Sequence, residues 1–270
     1  MRPVRVDGPS MREQLAHVQF RGVIRERSVD PFARMLRALR EKRRVRGVLL
    51  DISSGGGGSV PSMDLYLAVK RLDEVKPVVA SIGSIGASGA YMAALGARRI
   101  FAYPDSNIGS IGVIYPHVAV KGLLDKLGIE VDLLHHGRHK DAYQGYRPLT
   151  EEERTKQLAV AEDGYRGFVE LVARERRKTV EEIRPLATGE VFSGLKAAQL
   201  GLVDALGDRE MALEELARLT GVPAGRAVRI EPHRPFLERA LSSGLHALGP
   251  SLRQGLVDSL EELSFDGLLR

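Results

Sequence analysis

The chain of 270 residues contains no cysteine. That excludes a thiol nucleophile, a disulfide framework and a cysteine-ligated metal. Aromatic residues are scarce, at 5%, too few to build a stacking platform for single-stranded nucleic acid. No segment reaches the roughly 18 uninterrupted apolar residues that a membrane-spanning helix needs. The opening MRPVRVDGPSMREQ has no apolar stretch of the kind a secretory leader carries. The expectation is therefore a chain that stays on the side of the membrane where it is made, cytoplasmic or peripheral to the bilayer. Repeats at solenoid periods are missing as well.

What is present is the composition of a soluble globular protein, 43% hydrophobic and 28% charged. The net charge is +5, and much of the surplus lies in Arg37 to Arg46. We read that stretch as a solvated helix face, with a patch for anionic lipid or nucleic acid as the alternative; with so few aromatic residues no nucleic-acid partner is expected, and peripheral membrane contact is.

Strands and helices alternate along the chain. His17 to Ile24 alternates as a strand does. Asp30 to Lys42 reads as an amphipathic helix, capped by Asp30 with Pro31 in its first turn. Val45 to Ile52 is a nearly continuous apolar run, expected of a parallel strand buried on both faces. Further elements are predicted over Pro61–Glu74 (helix), Val78–Ile82 (strand), Ser88–Leu95 (helix), Arg99–Tyr103 (strand), Val118–Leu127 (helix) and Glu130–Leu134 (strand). Thr150 to Lys178 reads as a long helix whose capping box is Thr150 with Glu153. Thr179 caps a short helix before Pro185, and Leu195–Leu200 and Asp208–Leu219 follow as helices. This order predicts an α/β fold with a mostly parallel sheet and flanking helices. Residues 1–220 are expected to form the catalytic domain, and 221–270, with helical patterns over Phe236–Leu248 and Leu252–Leu263, a tail or oligomerisation arm.

The chemistry concentrates at two glycine-rich turns. Ser88 lies in Ser84-Ile85-Gly86-Ala87-Ser88-Gly89-Ala90-Tyr91-Met92, where a strand stops and a helix starts. Small neighbours let a substrate backbone approach a hydroxyl there, and unpaired N–H groups point outward. Asp51 to Val60 holds four consecutive glycines, Gly55 to Gly58. It lacks the Lys-Ser/Thr pair of a phosphate loop and the spacing of a dinucleotide fingerprint. Bare N–H groups facing an oxyanion are the better use for it. The base is open at this level. Seven histidines leave a Ser-His-Asp triad available, although Ala90 stands where the Gly-x-Ser-x-Gly elbow has its second glycine. His135, His136 and His139 cluster without the acidic spacing of a metal motif and read as a solvated loop, so no metal or cofactor is expected. Lys140 is one of forty basic residues and is not distinguished by pattern.

Five motifs in order resemble the signal peptide peptidase A family of serine proteases, over about Ala16 to Leu219. They are Asp51-Ile52-Ser53-Ser54-Gly55-Gly56-Gly57, Gly86 to Tyr91, Gly109-Ser110-Ile111-Gly112-Val113, Gly137 to Lys140, and Thr188 to Gly194 with Gly201-Leu202-Val203-Asp204. The resemblance implies the Clp protease/crotonase fold of repeated β-β-α units. It implies a Ser-Lys dyad, with Ser88 as nucleophile, Lys140 as general base and Ser110 holding the lysine amine. It places the oxyanion hole at the N–H of Gly89 with that of Gly56 or Gly57. This chain has Gly55 where the family has proline, and one further residue before Val60. The resemblance further implies a homo-oligomeric ring and signal peptides or other hydrophobic, unfolded peptides as substrates. Two alternatives share the fold: a crotonase-type acyl-CoA hydratase or isomerase, and a non-catalytic scaffold.

Overall fold

The computed structural model describes residues 13–232. Its centre is one sheet built of β1 (Gln14–Arg21), β2 (Val45–Ser54), β3 (Val78–Ala87), β4 (Arg99–Ala102), β5 (Asn107–Gly109), β6 (Val191–Ser193), β7 (Ala205–Leu206) and β8 (Ala227–Arg229). The main path runs β6-β5-β3-β2-β1-β8, and β4 and β7 branch from β3. Every pairing is parallel except β5 with β6. β8 lies beyond residue 220, so the sheet draws on chain past the expected domain boundary. The two helical patterns expected after Phe236 lie outside the described residues.

The apolar runs become central strands because both of their faces are covered. Ala16, Val18, Phe20, Val48, Leu50, Ile52, Val78, Ala80 and Ile82 enter the larger core. Helices α1 (Glu26–Glu41), α2 (Ser59–Asp73), α3 (Gly89–Ala94) and α5 (Glu151–Arg176) contribute to that core. The alternate residues Leu15, Leu49 and Val79 enter a second core with Ala212 and Leu216 of α8 (Arg209–Thr220). Burying each of the Val, Leu, Ile and Phe side chains among these stabilises the fold by roughly 1.5–3 kcal/mol. Phe20 and Phe32 lock β1 to α1 edge to face, with centroids 5.1 Å apart.

Among the described residues, helices α4 (Lys121–Leu127), α6 (Val180–Ile183) and α7 (Gly194–Gln199) are the remaining α-helices. The Thr150–Glu153 and Thr179–Glu182 capping boxes form as expected. Three local expectations are corrected. Helix α1 starts at Glu26, because Ser28 caps it from within by accepting the Arg25 N–H at 3.0 Å; Pro31 therefore sits inside the helix. Glu130–Leu134 forms no strand. Its alternation is real, but no described strand lies beside it to take its backbone groups, and Val131, Leu133 and Leu134 stay exposed. β3 runs five residues further than the apolar stretch, to Ala87.

That extension positions the site. β3 pairs with β4 through Ile82 and then changes neighbour, pairing Ile85, Gly86 and Ala87 with β5. Buried Ser106 holds the switch, its hydroxyl donating to the Gly83 carbonyl at 2.6 Å.

Candidate active site

Ser88 ends β3 and begins α3 with φ 51° and ψ −125°. Few non-glycine residues adopt a positive φ, at a cost of order 1–3 kcal/mol each. Of the three that do so among the described residues, two are Ser88 and Ser110, and the third is Arg177. The two serines are held by one strand end. The Ser88 N–H donates to the Gly109 carbonyl at 2.7 Å, and the Ser110 N–H donates to the Glu190 carbonyl at 2.7 Å. Tyr91, one turn along α3, is fully buried and donates its hydroxyl to the Leu202 carbonyl at 2.7 Å. Burial pushes its phenol well above the usual range, so it stays a neutral donor. Strain at Ser88 thus persists because the strand before it and the helix after it are both fixed.

The glycine loop docks on this turn. Added to Gly56, a Cβ would lie 2.8 Å from the Gly89 nitrogen and 2.9 Å from the Ser88 Cβ. Added to Gly89 it would overlap the Ser62 hydroxyl, and added to Gly57 the Ile24 carbonyl. These are close approaches that only glycine permits. Hydrogen bonds separate the glycines. Gly56 donates its N–H to Ser54 Oγ at 3.1 Å, and Gly58 donates to the Ile24 carbonyl at 3.0 Å. The Gly56 carbonyl accepts the Ile24 N–H at 2.9 Å. Among the described residues, no acceptor takes the N–H of Gly57 or of Gly89. The ideal Cβ position of Gly89 lies 3.5 Å from the Gly57 nitrogen, so the two unpartnered donors are neighbours beside Ser88.

The structure brings Ser88, Ser110, Gly56, Gly57 and Gly89 together. Lys140 is not joined to them: no hydrogen bond links its amine to either serine, and its side chain is exposed in the single chain. It sits in a run of turns between α4 and α5, with its N–H donating to the Gly137 carbonyl at 3.0 Å. The chain before it carries exposed apolar side chains. Ile114, Val118, Leu123, Leu127, Ile129 and Leu134 are all exposed.

No described histidine bonds Ser88 or Ser110 either. His17 points its Nε2 at Asp51, 3.5 Å away, and His139 faces Glu152 and Glu153. Among the described residues no group of His, Asp and Glu is placed to hold a metal. Two charged clusters were not legible as sites. Buried Asp51 gathers Gln19, Arg21, His17 and Arg209. Burial alone would raise its carboxyl, but these partners outweigh it and hold the group below the usual carboxylate range. Arg147 gathers Asp141 and Glu153 beside Lys140. Only the Thr150–Glu153 spacing hinted at the second.

Residues 70–223, more than half of the chain, match the model of peptidase family S49. The chain is 34% identical over 261 residues to "Putative protease slr0021" of Synechocystis sp., covering 95% of this chain and 93% of that protein. It is 29% identical to "Serine protease SPPA, chloroplastic" of Arabidopsis thaliana, over 83% of this chain and 34% of that protein. It is 34% identical to "Protease 4" of Salmonella typhi, over 70% of this chain and 31% of that protein. It therefore spans about a third of the length of the last two. A solved structure of a mutant of the 1510-N membrane-bound stomatin-specific protease superposes with a TM-score of 0.51 at 15% identity, covering 82% of this chain and 99% of that one. The likeness at that identity is one of fold: mixed α/β with a mostly parallel sheet, as the Clp protease/crotonase resemblance implied.

Proposed function

Since the chain belongs to peptidase family S49 and is a protease, we propose that it is a serine endopeptidase in which Ser88 is the nucleophile and Lys140 the base. The observation that carries this reading is the strained Ser88 turn with two unpartnered N–H groups beside it. A hydroxyl held there meets a peptide carbonyl whose oxygen points at the donors of Gly57 and Gly89. Those donors favour the negative oxygen of the tetrahedral intermediate over the neutral carbonyl, which is the source of catalysis. Gly57 rather than Gly56 fills the second place in this reading, because Ser54 already occupies the Gly56 donor.

In the reaction, Ser88 Oγ bonds to the carbonyl carbon and its proton passes to the Lys140 amine. Collapse expels the amine half of the peptide, which takes that proton. Water then releases the acyl half with the same two groups. A lysine at its ordinary pKa near 10.4 is charged at pH 7 and accepts no proton. It serves as a base only when stripped of water. We therefore place the working dyad in an assembly of copies of this chain, in which the open apolar segment around Lys140 is covered and the amine is brought to Ser88 and Ser110. Covering each of its large aliphatic side chains favours such an assembly by up to roughly 1.5–3 kcal/mol. Signal peptides or other hydrophobic, unfolded peptides fit a site reached in this way. The acyl-CoA and scaffold alternatives give the strain at Ser88 no task.

A fluorophosphonate that modifies active serines tests the assignment. Labelling confined to Ser88, and lost in Lys140→Ala, supports it. Labelling elsewhere, or labelling of Lys140→Ala at the wild-type rate, refutes the dyad.

A further inference from the structure

We propose that Arg147 is a positioning residue for Lys140: it ties the lysine loop to the first turn of α5 and keeps the Asp141 carboxylate from capturing the lysine amine. The inference rests on the reading of Lys140 as the base.

All five N–H donors of Arg147 are occupied. Nε and Nη2 donate to Asp141 Oδ2 and Oδ1 at 2.7 and 3.0 Å. Nη1 and Nη2 donate to Glu153 Oε2 and Oε1 at 2.8 Å each. The remaining Nη1 hydrogen goes to the Pro148 carbonyl at 3.0 Å. One planar fork thus grips two carboxylates with paired bonds, which a lysine ammonium cannot reproduce. Glu153 is the fixed end. It is buried and also accepts the Thr150 N–H at 2.9 Å, so it moves only with α5. Asp141 is the carried end, and it is the residue next to Lys140.

That adjacency gives the clasp a task beyond holding a loop. A free carboxylate within about 4–6 Å of an amine favours the ammonium form, and an ammonium cannot take the Ser88 proton. In the structure both Asp141 oxygens are engaged by Arg147, and among the described residues Lys140 makes no ion pair. The other charged groups of the loop have partners of their own. His135 faces Asp141 at 3.8 Å, His139 faces Glu152 and Glu153 at 3.3 and 3.5 Å, and Arg138 pairs with Glu152 at 2.7 Å. The bonds from Arg147 hold the Asp141 and Glu153 carboxyls below their usual range, so the clasp stays charged across the working pH.

The test is the pH profile of kcat/KM on a peptide substrate, with the rate of phosphonate labelling of Ser88, for wild type, Arg147→Met, Arg147→Lys and the double variant Arg147→Met with Asp141→Asn. Expected is a fall in kcat of about tenfold at pH 7 in Arg147→Met, with KM little changed and the acid limb moved upward by about one pH unit. Arg147→Lys, which keeps one ion pair and guards against loss of folding, moves the limb in the same direction. Removing the Asp141 charge in the double variant returns the limb toward wild type and recovers most of the turnover. A purely structural clasp would lower activity equally at all pH values, and the double variant would be no better than the single; either result overturns the proposal. Lys140→Ala is the control for the underlying reading. If it labels Ser88 at the wild-type rate, the base assignment itself has failed, whatever Arg147 does.

Discussion

The two halves of the proposed dyad stand on different kinds of structure. Ser88 is held by strands that are buried on both faces, by a helix whose tyrosine is fully buried, and by a glycine loop that no side chain could enter. Lys140 is held by an ionic clasp on a segment whose apolar residues face outward. The first half is complete within one chain. The second half has its local geometry fixed but its surroundings open. A nucleophile tolerates this division poorly unless the open half is closed by something else, because a solvated lysine is a poor base. Keeping the base uncovered until assembly would leave the isolated chain inert toward folded neighbours.

Breaking the rigid half gives the largest effects. Ser88→Ala is expected to lower kcat/KM by at least about 10⁴-fold with an unchanged melting curve. Ser88→Gly should be equally inactive yet melt no lower than wild type, since glycine relieves the positive φ; calorimetry beside the peptide assay checks both. Gly57→Ala comes next. Its methyl group meets the Ile24 carbonyl, and displacing one oxyanion donor should cost about 10²–10³-fold in kcat. A rise in KM with kcat unchanged would show that this N–H binds the ground state and the transition state alike and so does not drive the chemical step.

Breaking the open half separates activity from stability. Leu123→Asp with Leu127→Asp changes two exposed positions on α4, so the chain's own stability should move by no more than about 1–1.5 kcal/mol, from about 0.5 for each change and the like-charge i,i+4 pair they create. If the segment is an assembly face, light scattering should show a smaller particle and turnover should fall with it. A particle of unchanged mass would remove that role.

The smallest effect is expected from pH. The carboxyls of Asp141, held by Arg147, and of Asp51, held by His17, Arg21 and Gln19 against the opposing effect of burial, lie below their unfolded values. A lowered folded pKa gives stability that is complete above the unfolded pKa, near 3.9 for Asp, and lost as pH falls through the folded one. Hydrogen exchange in residues 137–150 should therefore show the same protection factors from pH 5 to 8, and reduced protection only below about pH 4.

Sequence reading recovered what is encoded locally. The apolar run of β2, the Thr150–Glu153 box and the small-residue turn at Ser88 each carry their own signal within a few residues. β5, β6 and β7 did not, because two or three residues show no period; they become strands only through neighbours far along the chain. Glu130–Leu134 shows the reverse case, a pattern with no partner. The proposed preference for Gly57 over Gly56 could not be drawn from spacing either. It depends on Ser54 and Ile24, one near in sequence and the other more than thirty residues away. The motif resemblance assigned Ser88, Ser110 and the glycines to one site, but Arg147 had no motif to announce it.

The link between Ile24 and the glycine loop reaches outside the site. Gly22, Val23 and Arg25 are exposed on either side of Ile24, which is buried in the larger core, so limited proteolysis or a short insertion there would loosen one edge of that core together with the loop. Such a nick would free the peptide plane that aims the Gly57 amide. Damage at this surface corner would be felt as slower turnover in a protein that still melts as one piece.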